Sequence, residues 1–127
     1  MDLSYFNGAP RTFKENLERT CAFIRTDVLG QWQEFYFGIT GRLAFDENQR
    51  NRWNDAGHGH CWNGWVKMIL LYSSPNAHKS IHDGTGRMED ELIQIFKHLP
   101  ECQKQKRGGG GASTTKGQPH FTYLVVR

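Results

Sequence analysis

The sequence predicts an α+β domain in which a small mixed β-sheet is flanked by helices. Three short apolar stretches indicate strands: Phe35–Thr40, Trp65–Tyr72 and Phe121–Val126. Between the last two, apolar residues recur at helical spacing from Met88 to Leu99, and Pro100 follows. A chain of 127 residues fits one domain with one hydrophobic core.

The N-terminal part is predicted to hold a short helix and then a β-hairpin. Pro10 suits the first turn of a helix, and Phe13 and Leu17 lie four residues apart on one face of it. We therefore assign residues 1–19 to an N-terminal extension, with an irregular first stretch, and residues 20–127 to the main domain. Cys21–Ile24 is a short apolar run that predicts a strand, and a turn at 29–31 would pair it with Phe35–Thr40.

The remaining elements follow from pattern and composition. Trp65–Tyr72 is apolar on both faces, which predicts the central strand of the sheet, whereas Phe121–Val126 is expected at an edge. A polar helix is predicted from Asp46, a capping residue, to Ala56. Residues 103–117 are basic and glycine-rich, which predicts a flexible loop.

Composition narrows the function classes. The formal net charge of +3 and the pI of about 8.9 allow a polyanionic partner without requiring one. Three cysteines at irregular spacing do not form a disulfide framework, which favours a reducing compartment. No stretch reaches the ~20 apolar residues of a membrane span, and no secretory signal is evident. We expect an intracellular protein, nuclear or cytoplasmic, that does not bind a membrane.

Glu89 is the carboxylate whose position is hardest to explain by structure alone. On a helical wheel of about 100° per residue it falls between Ile93 and Phe96, inside the apolar arc. A buried carboxylate needs a cation or hydrogen-bond donors. The alternative is that Glu89 reaches solvent from the first helical turn, where the helix dipole favours it.

Two further groups are candidates for phosphate chemistry. Tyr36 shares a strand face with the small residues Gly38 and Thr40, which leaves space before its hydroxyl, although half-exposed strand tyrosines are common. Arg50 and Arg52 lie on the polar helix, where a guanidinium binds phosphate bidentately or simply faces solvent.

His58, His60 and Cys61 form a compact group that has three alternative interpretations. With Cys21 or Cys102 they suggest a zinc site, but no second paired-ligand motif is present. A histidine here is also suited to phosphate contact or proton transfer, or the segment is an ordinary loop. Separately, four basic residues of the glycine-rich loop are candidates for non-specific contact with a nucleic-acid backbone: Lys104, Lys106, Arg107 and Lys116.

Taken together, these motifs resemble the GIY-YIG nuclease family. Tyr36–Thr40 resembles the YIG strand, Arg52 and Trp53 resemble the start of the arginine motif in the following helix, and Met68–Tyr72 resembles the third strand. Met88–Glu89 before Leu92 resembles the helix that carries the metal-binding glutamate. The resemblance covers residues 20 to 127, and it places Phe23 where the family has its first tyrosine.

This resemblance implies a metal-dependent endonuclease that hydrolyses phosphodiester bonds, with DNA favoured over RNA. Glu89 would hold one divalent cation, Mg²⁺ or Mn²⁺, and Tyr36 would act as general base or orient the attacking water. Arg52 would bind the scissile phosphate, with Arg50 as the alternative if the register differs and His58 as a candidate for the family's histidine.

Two other functions remain open from the sequence. The first is a catalytically inactive GIY-YIG-like domain that binds nucleic acid or a protein partner through the same surface. The second is a small zinc-binding adaptor built on His58, His60 and Cys61. The sequence does not determine the oligomeric state.

Overall fold

A computed structural model of the chain describes residues 12–40, 53, 57, 59–75, 80–103 and 120–127, and the backbone of residues 3–5. Within these residues, four strands form one mixed sheet in the order β1-β3-β4-β2: β1 (Leu3–Tyr5), β2 (Phe35–Thr40), β3 (Lys67–Ser74) and β4 (His120–Val126). β4 is antiparallel to both β3 and β2, and β1 is parallel to β3. The predicted α+β class with a small mixed sheet is confirmed.

Two strand predictions need correction. β4 is not an edge strand, because it lies between β3 and β2, and all of its residues are buried. Leu3–Tyr5 is not irregular, because it pairs with β3 as β1. The inner position predicted for Trp65–Tyr72 is confirmed, since β3 has a neighbour on each side.

The hairpin predicted before β2 is wrong, because Cys21–Ile24 is helical. Helix α1 (Phe13–Phe23) begins at Thr12, whose side-chain oxygen accepts a hydrogen bond from Glu15 N at 3.2 Å. Thr12 and Glu15 match a capping-box pattern. A π-helical turn (Ile24–Val28) continues the helix, and Gly30 then turns the chain towards β2 with φ 87°.

This helix also crosses the predicted domain boundary. Leu17, Cys21, Ile24 and Val28 recur at helical spacing; the last three belong to the hydrophobic core, and Leu17 packs against it. The boundary proposed between residues 19 and 20 therefore falls inside α1, which packs as part of the domain.

Helix α2 (Thr85–Phe96) confirms the amphipathic helix predicted before Pro100, and it begins three residues earlier than Met88. Its start is fixed to the sheet, because Thr122 Oγ1 donates a hydrogen bond to Thr85 O at 2.8 Å. Near its end, the ring of Phe96 packs edge-on against Phe35 with centroids 6.2 Å apart. α2 therefore begins against β4, next to the C-terminal end of β2, and it ends against the N-terminal end of β2.

The sheet has a different set of neighbours on each face. We call the side that packs on α1 and α2 the helical face; its sheet residues are Phe35, Phe37, Ile69, Leu71, Tyr72, Leu124 and Val126. Leu71 and Tyr72 are consecutive because the register of β3 shifts between Leu70 and Tyr72. We call the other side the aromatic face; its buried residues are Trp53, Trp65, Met68, Leu70, Phe121, Tyr123 and Val125, with Tyr36 packed against them. Strand alternation explains the division, because successive side chains point to opposite faces.

Candidate functional site on the aromatic face

Two tyrosines and one histidine meet on the aromatic face. His60 Nε2 and Tyr123 Oη share a hydrogen bond at 2.8 Å, and their rings are 5.5 Å apart. The Tyr36 ring lies 5.9 Å from that of His60. Tyr36 and Tyr123 come from adjacent antiparallel strands, so one imidazole stands beside two phenols held by the sheet.

Gly38 makes this arrangement possible. In the β2–β4 register Gly38 is directly opposite Tyr123, and a Cβ at Gly38 would overlap the Tyr123 ring. The Tyr123 ring therefore lies directly against the backbone of Gly38, in space that the side chain of any other residue at position 38 would occupy. This contact gives a structural reason for the small residue next to Tyr36, which the sequence suggested only as open space.

A tight turn fixes His60 over the sheet. Residues His60–Trp62 form one 3₁₀ turn, and Trp65 N donates to His60 O at 3.3 Å. Cys61 N donates to Trp53 O at 3.1 Å, and the Trp53 side chain is buried in the aromatic face. The buried ring of Trp53 is thus tied to the turn that carries His60.

Glu89 is buried, with 5% of its surface exposed. The alternative in which it reaches solvent from the first turn of α2 is wrong, because α2 begins at Thr85 and puts Glu89 in the second turn. By contrast, Arg87 and Glu91 on the same helix form a half-exposed ion pair at 2.9 Å. Glu89 therefore occupies an environment in which a carboxylate needs compensation by a cation or by donors.

Tyr36 and Glu89 are associated with opposite faces of the sheet. Glu89 lies on α2, which packs on the helical face, whereas the Tyr36 ring packs on the aromatic face. Along α2, Glu89 lies between Thr85, which is bonded to β4, and Phe96, which packs against Phe35 and Phe37. The described residues therefore hold Glu89 on the helical side of the sheet and do not bring it beside the Tyr36 phenol.

The position assigned to the family's first tyrosine also changes. Phe23 is the last residue of α1 and packs against the helical-face core, so it is not on a strand beside β2. The strand that pairs with β2 is β4, and its phenol is Tyr123. Tyr123 was missed as a site residue because β4 was expected at the edge of the sheet.

The zinc hypothesis is not supported by the described cysteines. Cys21 and Cys102 are buried in the core of the helical face, whereas His60 lies on the aromatic face beside Tyr123. Burial also raises the pKa of both thiols, that of Cys102 to about 11. Among the residues that the structure describes, no group of three or more His, Cys, Asp or Glu side chains is arranged to hold a metal ion.

Several predicted site residues lie outside the described residues. These are the two arginines and the histidine after β2, with the polar helix that would carry them, and the basic side chains of the glycine-rich loop: Arg50, Arg52, His58, Lys104, Lys106, Arg107 and Lys116.

Comparison with known proteins leaves the chain without an identified relative. No family model, no curated protein and no solved structure matches it. Within the described part of the chain, neither helix is long and apolar enough to cross a bilayer.

Proposed function

We propose that the protein is a metal-dependent endonuclease that hydrolyses phosphodiester bonds in nucleic acid, with DNA favoured over RNA. The observation that carries the proposal is the group formed by Tyr36, His60 and Tyr123. An imidazole hydrogen-bonded to one phenol and in ring contact with a second supplies groups that can orient a water and exchange its proton. The mild positive charge of the chain is compatible with a polyanionic substrate.

The buried carboxylate of Glu89 supports the metal dependence. Mg²⁺ prefers oxygen ligands and keeps several waters, so one or two carboxylates together with substrate phosphate suffice to hold it. Glu89 fits that requirement, as its oxygens are hard ligands held on a helix rather than a loop. A divalent cation bound there would neutralise charge on the leaving oxygen.

Chain connectivity links the two halves of the proposed site. β2 contacts α2, the helix that carries Glu89, and ends at Thr40, and Trp53 is again part of the aromatic face. The segment between them carries Arg50 and Arg52. In the proposed mechanism Arg52 binds the scissile phosphate at the end of β2, and Tyr36 with His60 orients the attacking water.

A nuclease assay with matched variants tests the proposal. Plasmid, single-stranded DNA and RNA are incubated with the protein in Mg²⁺, in Mn²⁺ and in EDTA. We expect metal-dependent cutting that falls on the order of 100-fold or more in Glu89→Gln. Glu91→Gln is the control on the same helix, because Glu91 is an exposed partner of Arg87, and it should cut normally.

Two further variants address the other groups. Tyr36→Phe removes only a hydroxyl and should lower the rate while leaving binding intact. Arg52→Lys keeps the charge but not the bidentate fork, so we expect a large loss of rate with little loss of stability. Cutting that persists in EDTA, or equal rates for Glu89→Gln and Glu91→Gln, would contradict the proposed enzyme.

The second candidate is a catalytically inactive domain that binds nucleic acid. The association of Tyr36 and Glu89 with opposite faces favours it, because one phosphate has to reach both groups during hydrolysis. Binding without cutting in either metal, and binding unchanged in Glu89→Gln, would support this candidate over the enzyme.

A further inference from the structure

The turn that carries His60 also presents an unusually exposed aromatic ring. Trp62 is 62% exposed, although a tryptophan side chain is large and mostly apolar. Three large hydrophobic side chains are exposed among the described residues, and two of them are close in sequence: Trp62, which ends the turn, and Val66, which precedes β3. Exposed apolar groups gathered in one place mark a binding surface more often than scattered ones do.

The backbone below Trp62 is firmly held. Trp62 N donates to Gly59 O at 3.0 Å, and Asn63 Nδ2 donates to the same carbonyl at 2.8 Å. The preceding His60 is joined to Tyr123. Because these hydrogen bonds hold the turn, the backbone at Trp62 is already ordered, and stacking of a ligand on the Trp62 ring costs little additional backbone entropy.

A cationic group is bonded to the residue that follows Trp62 in the chain. Arg127 Nη1 donates to Asn63 O at 3.3 Å, and the guanidinium stacks 4.2 Å over the ring of Trp65. Its Nε is bound to Glu34 at 2.8 Å, so the fork is held in place, while the side chain remains 35% exposed. An exposed ring, followed in the chain by a residue that holds a fixed and partly exposed guanidinium, suits a nucleotide, which has a flat base and a phosphate.

We propose that Trp62 and Arg127 form a subsite for one unpaired nucleotide, with the base stacked on the Trp62 ring and the adjoining phosphate near Arg127. This inference rests on the proposed function, because it names the substrate class as single-stranded or locally unpaired nucleic acid. A base inside a duplex is stacked on its neighbours and has no free face to offer the ring. Trp62 is in the same turn as His60, so a nucleotide bound at the subsite would bring the rest of its nucleic-acid strand towards Tyr36 and Tyr123.

The test measures binding in EDTA, where no cutting is required. Fluorescence anisotropy follows the titration of labelled oligo(dT) of about 12 nucleotides, of an equally long strand of abasic sugar-phosphate, and of a duplex, all at one salt concentration. Trp62→Ala should weaken oligo(dT) binding about 5- to 150-fold, the loss expected for one base–aromatic stack. Its affinity for the abasic strand and the duplex should be unchanged.

Two control variants separate stacking from general damage. Ile81→Ala removes another exposed apolar side chain, 40% exposed and outside the turn, and should bind every strand like the wild type. Trp62→Phe keeps a smaller ring and should recover part of the oligo(dT) affinity.

Three results would overturn the subsite: equal oligo(dT) affinity in wild type and Trp62→Ala, an equal loss for the abasic strand, or a wild type that binds neither. A Trp62-dependent dimer in sedimentation velocity would also overturn it, in favour of an interface between copies. If the wild type cuts in neither metal but Trp62→Ala still weakens oligo(dT) binding, the subsite is supported and only the proposed enzyme is contradicted. Metal-dependent cutting, together with equal binding of oligo(dT) and the abasic strand, supports the enzyme and overturns the subsite.

Discussion

Replacing Gly38 with alanine should disrupt the phenol–imidazole pair without touching either partner. The new Cβ would overlap the ring of Tyr123, which is buried at 2% exposure and hydrogen-bonded to His60. Tyr123 has to leave its position, because β2 and β4 are paired on both sides of Gly38 and cannot separate there. The substitution itself is otherwise mild, since alanine suits a strand better than glycine does.

The expected cost follows from two contributions. Forcing extra volume into a packed region costs about 1–3 kcal/mol. Loss of the Tyr123–His60 hydrogen bond adds about 1 kcal/mol. Together they predict that Gly38→Ala lowers the free energy of unfolding by about 2–4 kcal/mol.

A double-mutant cycle in urea isolates the cause. Gly38→Ala, Tyr123→Ala and the double variant are unfolded with circular dichroism as the readout, and free energies are taken by linear extrapolation. With Tyr123 truncated the overlap is gone, so Gly38→Ala should then be neutral or stabilise by up to about 1 kcal/mol. The same destabilisation in both backgrounds, or none in the wild-type background, would refute the role assigned to the Tyr123 ring.

Two more predictions concern the helical-face core. Burial raises the pKa of the Cys102 thiol from 9.0 to about 11, so the folded state binds this proton more tightly than the unfolded state does. That contribution to stability is full below pH 9 and is lost as pH rises towards 11, by up to about 1.4 kcal/mol per pH unit, and urea unfolding should show a shallower decline in Cys102→Ala. Phe96→Ala should cost about 3–5 kcal/mol in the same assay at neutral pH, because its ring is buried against Phe35 and Phe37. A cost below about 1 kcal/mol would contradict that packing.

Local patterns predicted most of the regular elements. The helical spacing of apolar residues predicts α2, and short apolar stretches predict β2, β3 and β4. The wrong strand prediction at Cys21–Ile24 also has a cause in the local sequence. A short apolar run has no period of its own, and only the capping box at Thr12 and the spacing from Leu17 to Val28 identify it as helix.

The order of the strands was not predictable in the same way. β4 sits between β3 and β2 although it is the last element, and such pairing depends on contacts far apart in sequence. Its alternating residues are buried on both faces, which is the same signal that placed β3 inside the sheet. The same signal therefore predicts an inner position for β4.

The position of β4 determines which residues the candidate site can contain. A strand between β2 and β3 presents its phenol to the face that carries Tyr36, whereas a strand at Cys21–Ile24 would have presented Phe23, which has no hydroxyl. With β4 in this position, the candidate site contains Tyr123 in place of Phe23, together with the His60 imidazole that is bonded to Tyr123. For this reason Tyr123→Phe is the variant that separates the two accounts: it leaves the ring over Gly38, removes the hydroxyl that is bonded to His60, and should lower the cutting rate by a larger factor than Phe23→Leu does.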